Sequence, residues 1–205
     1  MNKYNKQILM VDFYDSFTYN IVSECKRLLE NYHIKADIQI CSWDHLRAFL
    51  TSSEVNYQVI IWGPGPGTVL EYESIDPIIK KCLKDSALFN LGICLGHQII
   101  LKNLGHNLIR AKRPIHGENV AIRLPAWSIY PKELHGKTIQ VQLYNSWLVE
   151  KNVQVKELAY LYYQDGVMSV CGLNLLTYQF HPESIGTSYP EIFFLPLINK
   201  LCNNG

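Results

Sequence analysis

Apolar residues in the first half of the chain fall in short unbroken runs separated by segments of helical spacing. Residues 8–13 make a run of buried-strand length, and Ile21, Cys25, Leu28 and Leu29 then recur at helical intervals over 17–29. Ser16 stands where a helix cap would sit. The alternation continues with a strand at 37–41, a short helix at 44–50, a strand at 57–62 and a helix at 75–83 that tolerates Pro77 in its first turn. A strand at 87–93 and a helix at 95–104, ending at Gly105, complete this half. Repeated βα units of this length predict a parallel sheet covered by helices on both faces. Beyond residue 106 the texture changes to turn-linked strand patterns at 118–124, 138–144, 155–163, 166–171 and 175–180, with a last helix over 189–201. No repeat or linker divides the chain. Residues 1–205 are expected to form one α/β domain, a mostly parallel open sheet flanked by helices with additional strands in the C-terminal half.

Composition narrows the function classes. The apolar share is 48%, the charged share 18% and the net charge +1, with both signs mixed along the chain. No basic stripe follows a phosphate backbone, which argues against nucleic-acid binding. The apolar run near the amino terminus soon meets Asp12 and Asp15, and no stretch reaches membrane length. No signal peptide or membrane anchor is expected. Six cysteines include no CxxC pair and no cluster, so neither a disulfide framework nor a metal site is expected. A reduced, cytoplasmic enzyme is the natural reading.

The most informative local pattern is Gly92-Ile93-Cys94-Leu95-Gly96, at the junction of a predicted strand and a predicted helix. It is the cysteine counterpart of the G-x-S-x-G nucleophile elbow, where a strained strand-to-helix turn leaves no room for β-carbons two residues away. The helix start favours thiolate, and the Leu95 N–H would face negative charge developing on a substrate. The same five residues also fit a core cysteine closing an apolar strand, and on this pattern alone both readings stand. His181-Pro182-Glu183 follows the strand pattern at 175–180 and puts a base and its orienting carboxylate two residues apart, on one side of an extended chain. Gly65-Pro66-Gly67 follows another strand end and would bring backbone N–H groups close to a ligand, or serve as an ordinary tight turn.

Together these motifs resemble the class I glutamine amidotransferases of the Cys-His-Glu type. Within that family the chain is similar to the branch formed by the glutaminase subunits (component II) of anthranilate synthase and aminodeoxychorismate synthase. The resemblance runs from residue 8 to about 187, through Asp12, Asp15-Ser16-Phe17-Thr18-Tyr19-Asn20, Pro64-Gly65-Pro66-Gly67, the segment 92–98, His116-Gly117 and the segment 179–184. It implies a flavodoxin-like fold and a catalytic triad of Cys94, His181 and Glu183. Gly65 and Leu95 would supply the oxyanion hole, and Gly65, Gly67, Gln98, Ser146 and Trp147 would hold glutamine. His97 would be structural. The implied activity is hydrolysis of L-glutamine to glutamate and ammonia through a cysteinyl thioester, without metal or organic cofactor. The implied partner is a chorismate-using synthase subunit (component I) that takes the ammonia. A diverged, non-catalytic regulatory subunit, or a glutamine or γ-glutamyl hydrolase serving another acceptor, are the alternatives. The chain departs from the family pattern at Phe13, Gly63, Glu118, Asn145-Ser146-Trp147 and Thr177-Tyr178, where Asn, Ser, Lys, His-Ser-Leu and Gly-Val are usual.

Overall fold

The computed structural model describes residues 6–52 and 55–203. Five strands run parallel at the centre: β1 (Lys6–Asp12), β2 (Ala36–Ser42), β3 (Val59–Trp62), β4 (Phe89–Ile93) and β11 (Leu175–Tyr178). Antiparallel β10 (Gly166–Cys171) and β9 (Ala159–Tyr163) extend the sheet beyond β11 in the order β2-β1-β3-β4-β11-β10-β9. Strands β1, β3 and β4 bury nearly every residue on both faces, which is why they read as continuous apolar runs. Two separate apolar layers pack on the two faces. One collects Ile8, Met10, Ile61, Leu91 and Ile93 with helices α1 (Thr18–Asn31) and α5 (Pro190–Asn203); the other collects Leu9, Val11, Ile60 and Trp62 with α3 (Asp76–Lys84) and α4 (Leu95–Asn103). A short helix, α2 (Leu46–Ser52), completes the second side. Among the described residues no helix is long and apolar enough to cross a membrane.

The expected βα alternation of the first half is present, with every boundary within two residues of its expected place. One local expectation fails. Ser16 does not cap α1, whose N-cap position is Phe17 and carries no side-chain cap. The turn is organised instead by Asp12 and Asp15. Asp12 Oδ1 accepts from Tyr14 N–H at 2.9 Å and from the Thr18 hydroxyl at 2.7 Å, while Asp15 Oδ1 accepts from Phe17 N–H at 2.8 Å. These carboxylates satisfy donors that a helix start leaves open.

The second half holds more than its pattern suggested. β5 (Leu108–Arg110) pairs with β8 (Trp147–Val149), and β6 (Glu118–Arg123) pairs with β7 (Thr138–Leu143), in two small antiparallel sheets. β5 and β8 are three residues each, too short to show a period in sequence. The strand expected at 155–163 begins only at Ala159, because Val155 N–H is spent on the Tyr160 hydroxyl at 3.1 Å.

Candidate active site

β4 delivers Cys94 into the first turn of α4 with φ 52° and ψ −100°, a conformation costly for any residue with a β-carbon. Tyr178 O accepts from Cys94 N–H at 2.8 Å and Gly63 O accepts from Gly96 N–H at 3.0 Å, which pins the turn to both neighbouring strand ends. The flanking glycines are needed for space. A β-carbon on Gly92 would lie 2.8 Å from Ile100 Cδ1 and 3.0 Å from the Gly96 carbonyl, and one on Gly96 would lie 2.0 Å from Trp62 O. Leu95 opens α4, so its N–H has no acceptor within the helix.

A cavity of about 150 Å³ opens over the sulfur. Its lining brings together Cys94, Leu95, Gly65, Gly67, Gln98, Ser146 and Trp147, with Pro66, Tyr144 and Asn145 completing the wall. The Gly65-Pro66-Gly67 loop approaches so closely that a β-carbon on Gly65 would sit 2.6 Å from Leu95 Cδ2. Gly67 has φ 73°, and a β-carbon there would meet the Glu71 carboxylate at 2.3 Å. That carboxylate accepts from Thr68 N–H at 2.8 Å in a capping box that starts a 3-10 turn over Val69–Ile75.

His181 and Glu183 stand behind the sulfur. His181 Nδ1 donates to Glu183 Oε1 at 2.7 Å, and the two side chains are only 2% and 0% exposed. Because the partner is a carboxylate, Nδ1 carries the proton and Nε2 is left to act. Burial pushes the His181 pKa down, but the charge and contact of Cys94 and the Glu183 carboxylate outweigh it and hold it well above the ordinary imidazole value. Nε2 has no hydrogen-bond partner of ordinary geometry. The ring also packs against both Phe17 and Tyr144, each with its centroid 5.1 Å away, and those two rings touch one another at 5.2 Å, so the three form one aromatic cluster. Thr187 Oγ1 donates to His181 O at 2.7 Å and accepts from Gln142 N–H at 3.1 Å, fixing the backbone beneath it. Neither aromatic neighbour was singled out as a site residue from sequence, since nothing local in Phe17 or Tyr144 points to residue 181.

Gln98 is committed more fully than a simple ligand contact would be. Its Nε2 donates to Trp147 O and to Gln179 Oε1, each at 3.0 Å, which leaves its Oε1 as the polar atom for a ligand. Asn145, one of the departures from the family pattern, donates to the same Trp147 carbonyl at 3.1 Å. Gln179 opens the 179–184 motif read in the sequence but was given no role at the site. The spacing of two that joins Glu183 to His181 continues back to Gln179, and that period was the available signal.

Other departures also find local reasons. A β-carbon on Gly63 would lie 2.6 Å from Met10 Cε, and Phe13 is fully buried with its ring 5.0 Å from Tyr72. Tyr178 is buried against Phe193, donating to its carbonyl at 3.2 Å. Glu118 is ion-paired with Arg113 on the surface. Thr177 supplies a hydroxyl 2.9 Å from His97 Nδ1, while His97 Nε2 meets Val167 O at 3.1 Å.

His97 is fully buried, two residues from the helix start, and turned away from the sulfur into the sheet. Burial pushes its pKa down to about 3. It stays neutral in the folded chain while its unfolded counterpart protonates near pH 6.5. The unfolded state therefore binds more protons between these values, and stability falls as pH falls through that window, by about 1.4 kcal/mol per unit at most. We expect a His97→Gln variant to show a flatter loss of stability between pH 6.5 and pH 4 than the native chain. Urea midpoints across that range check it, and parallel slopes would refute the assignment.

Comparison with known proteins agrees with this architecture. Residues 9–200 match the family model described as glutamine amidotransferase class-I. Anthranilate synthase component 2 of Lactococcus lactis subsp. lactis is 31% identical over 202 residues, covering 96% of each chain. The protein of that name from Helicobacter pylori strain 26695 is 31% identical over 187 residues, covering 88% of this chain and 90% of its own. Among solved structures, a glutamine amidotransferase from Thermotoga maritima superposes with a TM-score of 0.66 at 13% identity, over 98% of this chain and 86% of that one, a likeness of fold. With a family model matched from one end of the sheet to the last helix, and relatives above 30% identity across most of its length, the chain belongs to the class-I glutamine amidotransferases.

Proposed function

We propose that the chain is a glutaminase subunit that hydrolyses L-glutamine through a thioester at Cys94 and passes ammonia to a chorismate-using synthase subunit. The observation that carries the chemistry is the strained Cys94 turn, opening on a cavity and backed by a buried His181–Glu183 pair. Strain of this kind persists where the surroundings enforce it, and a core cysteine has no use for it.

The steps follow from the named atoms. Cys94 Sγ attacks the side-chain amide carbon of glutamine, forming a C–S bond while the carbonyl electrons move to oxygen. The N–H groups of Leu95 and Gly65 hold that oxyanion. On collapse the C–N bond breaks, and His181 Nε2 gives its proton to departing ammonia. The glutamyl thioester is then attacked by water, which His181 deprotonates; glutamate leaves and the thiolate is restored. Glu183 keeps the imidazole in the tautomer and orientation that both proton transfers need. Gly67, Gln98, Ser146 and Trp147 line the space for the rest of the substrate.

The synthase partner is inferred from the component 2 relatives and from chemistry. Ammonia released into water becomes ammonium and loses its nucleophilicity, so a docked acceptor is needed. The product is anthranilate or 4-amino-4-deoxychorismate, the setting a cytoplasmic heteromer, and residues 1–205 one catalytic domain. The test is to mix the purified chain with glutamine, quench in acid and search by mass for a glutamyl adduct on the Cys94 peptide, alone and with each candidate synthase subunit. An adduct at Cys94, with glutamate release that rises with one synthase, is expected. No adduct and no glutamate under any condition would mean a binding subunit in an enzyme's fold.

A further inference from the structure

The Gln179 side chain is 1% exposed and ends at the nucleophile. Its Nε2 lies 3.8 Å from Cys94 Sγ, within reach of a hydrogen bond to sulfur, and its Oε1 accepts from Gln98 Nε2 at 3.0 Å. Gln98 in turn donates to Trp147 O at 3.0 Å. Because Trp147 O can only accept, the direction of every bond in this chain is fixed. Gln98 must offer both protons, Gln179 must offer its oxygen to Gln98, and Gln179 is left with N–H directed at the sulfur. The backbone of Gln179 is held as well, its N–H donating to Met168 O at 2.9 Å.

Resting on the reading of Cys94 as the nucleophile, we propose that Gln179 is a positioning residue for it, donating N–H to the Cys94 thiolate through an amide relay anchored at Trp147. A thiolate needs donors, and His181 Nε2 makes no hydrogen bond of ordinary geometry to it here. The carboxamide stabilises the charged sulfur without offering a proton acidic enough to quench it. The relay also ties the nucleophile to the glutamine pocket. Gln98 and Trp147 both line that cavity, so a ligand that shifts either one moves the donor on the sulfur. On its other side Gln179 forms part of the wall of a second cavity of about 190 Å³, lined by Leu143, Val167 and Met168, and separates that space from Cys94.

The test is the pH dependence of alkylation at Cys94 by iodoacetamide in the full chain, read by peptide mass, with exposed Cys202 as internal standard. Gln179→Met removes the donor at similar length. Gln179→Glu keeps the shape and the acceptor for Gln98 but turns a carboxylate oxygen toward the sulfur. Both variants are expected to alkylate about tenfold or more slowly at pH 7, the worth of a hydrogen bond to a charged group, with the half-maximal point of the profile moved to higher pH. Alkylation of Cys202 should not change. A purely structural role for Gln179 would lower the melting temperature and leave the pH profile in place. If native Cys94 alkylates readily at pH 7 and either folded variant keeps its profile, the relay is wrong while the nucleophile stands. If native Cys94 reacts no faster than Cys202, the assignment of the nucleophile fails and the relay with it.

Discussion

A Cys94→Gly variant is expected to lose glutamine hydrolysis by about 10⁴-fold or more and yet to melt at a higher temperature than Cys94→Ala. On the proposed mechanism the activity loss follows from removing the atom that forms the thioester, which the proposed oxyanion donors cannot replace. The stability difference follows from the backbone. At φ 52° and ψ −100° a β-carbon is held in a sparsely populated region, at a cost of about 1–3 kcal/mol that alanine retains and glycine sheds. The extra freedom of glycine in the unfolded chain takes back roughly 0.5–1 kcal/mol. Both variants lose the same contact with the imidazolium of His181, so their comparison isolates the strain. A net gain of about 1 kcal/mol corresponds to roughly 2–4 °C for a chain of this size. Calorimetry on the two variants, beside a glutamate-release assay, measures both halves. A glycine variant melting at or below the alanine one would show that the turn stores no strain.

That experiment bears on how the site was read from sequence. The glycines around Cys94 were legible because strain and close approach restrict residue type locally, and five consecutive residues record it. The His181–Glu183 pair was legible for a similar reason, being two residues apart on one side of an extended segment. What joins distant parts of the chain left weaker marks. Phe17 and Tyr144 meet each other as well as His181 and are 127 residues apart in sequence, so no local pattern ties either one to residue 181. The parallel strands β1, β3, β4 and β11 were legible from their doubly buried runs, but their order was not. β11 pairs with β4 across more than eighty residues because its apolar face completes the core there, and apolar pattern alone does not name a neighbour. Thr68 and Glu71 carry a capping-box signature for the 3-10 turn at Val69–Ile75, the one local mark of that element in the sequence. Ser16 carried a cap signature, but the carboxylates of Asp12 and Asp15 take the Thr18 hydroxyl and the Phe17 N–H instead.

The second large effect concerns the far side of the same turn. Gly96→Ala is expected to cost more than about 3 kcal/mol, enough to leave a marginally stable chain partly unfolded near 37 °C. The added β-carbon would stand 2.0 Å from Trp62 O and 2.6 Å from Trp62 C, a clash with backbone and not with a side chain that could turn away. Trp62 cannot retreat. It ends β3 between β1 and β4, is fully buried, and its indole donates to Asn90 Oδ1 at 3.1 Å. Nor can α4 lift off, because Gly96 N–H is bonded to Gly63 O and Ile99, Ile100 and Leu101 are packed into the core behind it. Gly105→Ala provides the contrast. Gly105 has φ 92° but a β-carbon there would meet nothing within 4 Å, so only conformational strain of about 1–2 kcal/mol is at stake. Urea unfolding of the two variants should separate them by at least the difference, with Gly96→Ala the less stable. Equal midpoints would mean that α4 can slide on the sheet. In that case Cys94 would not be held by the contact between helix and strand end, and the rigidity required of a nucleophile at this turn would have to come from the His181 side of the site.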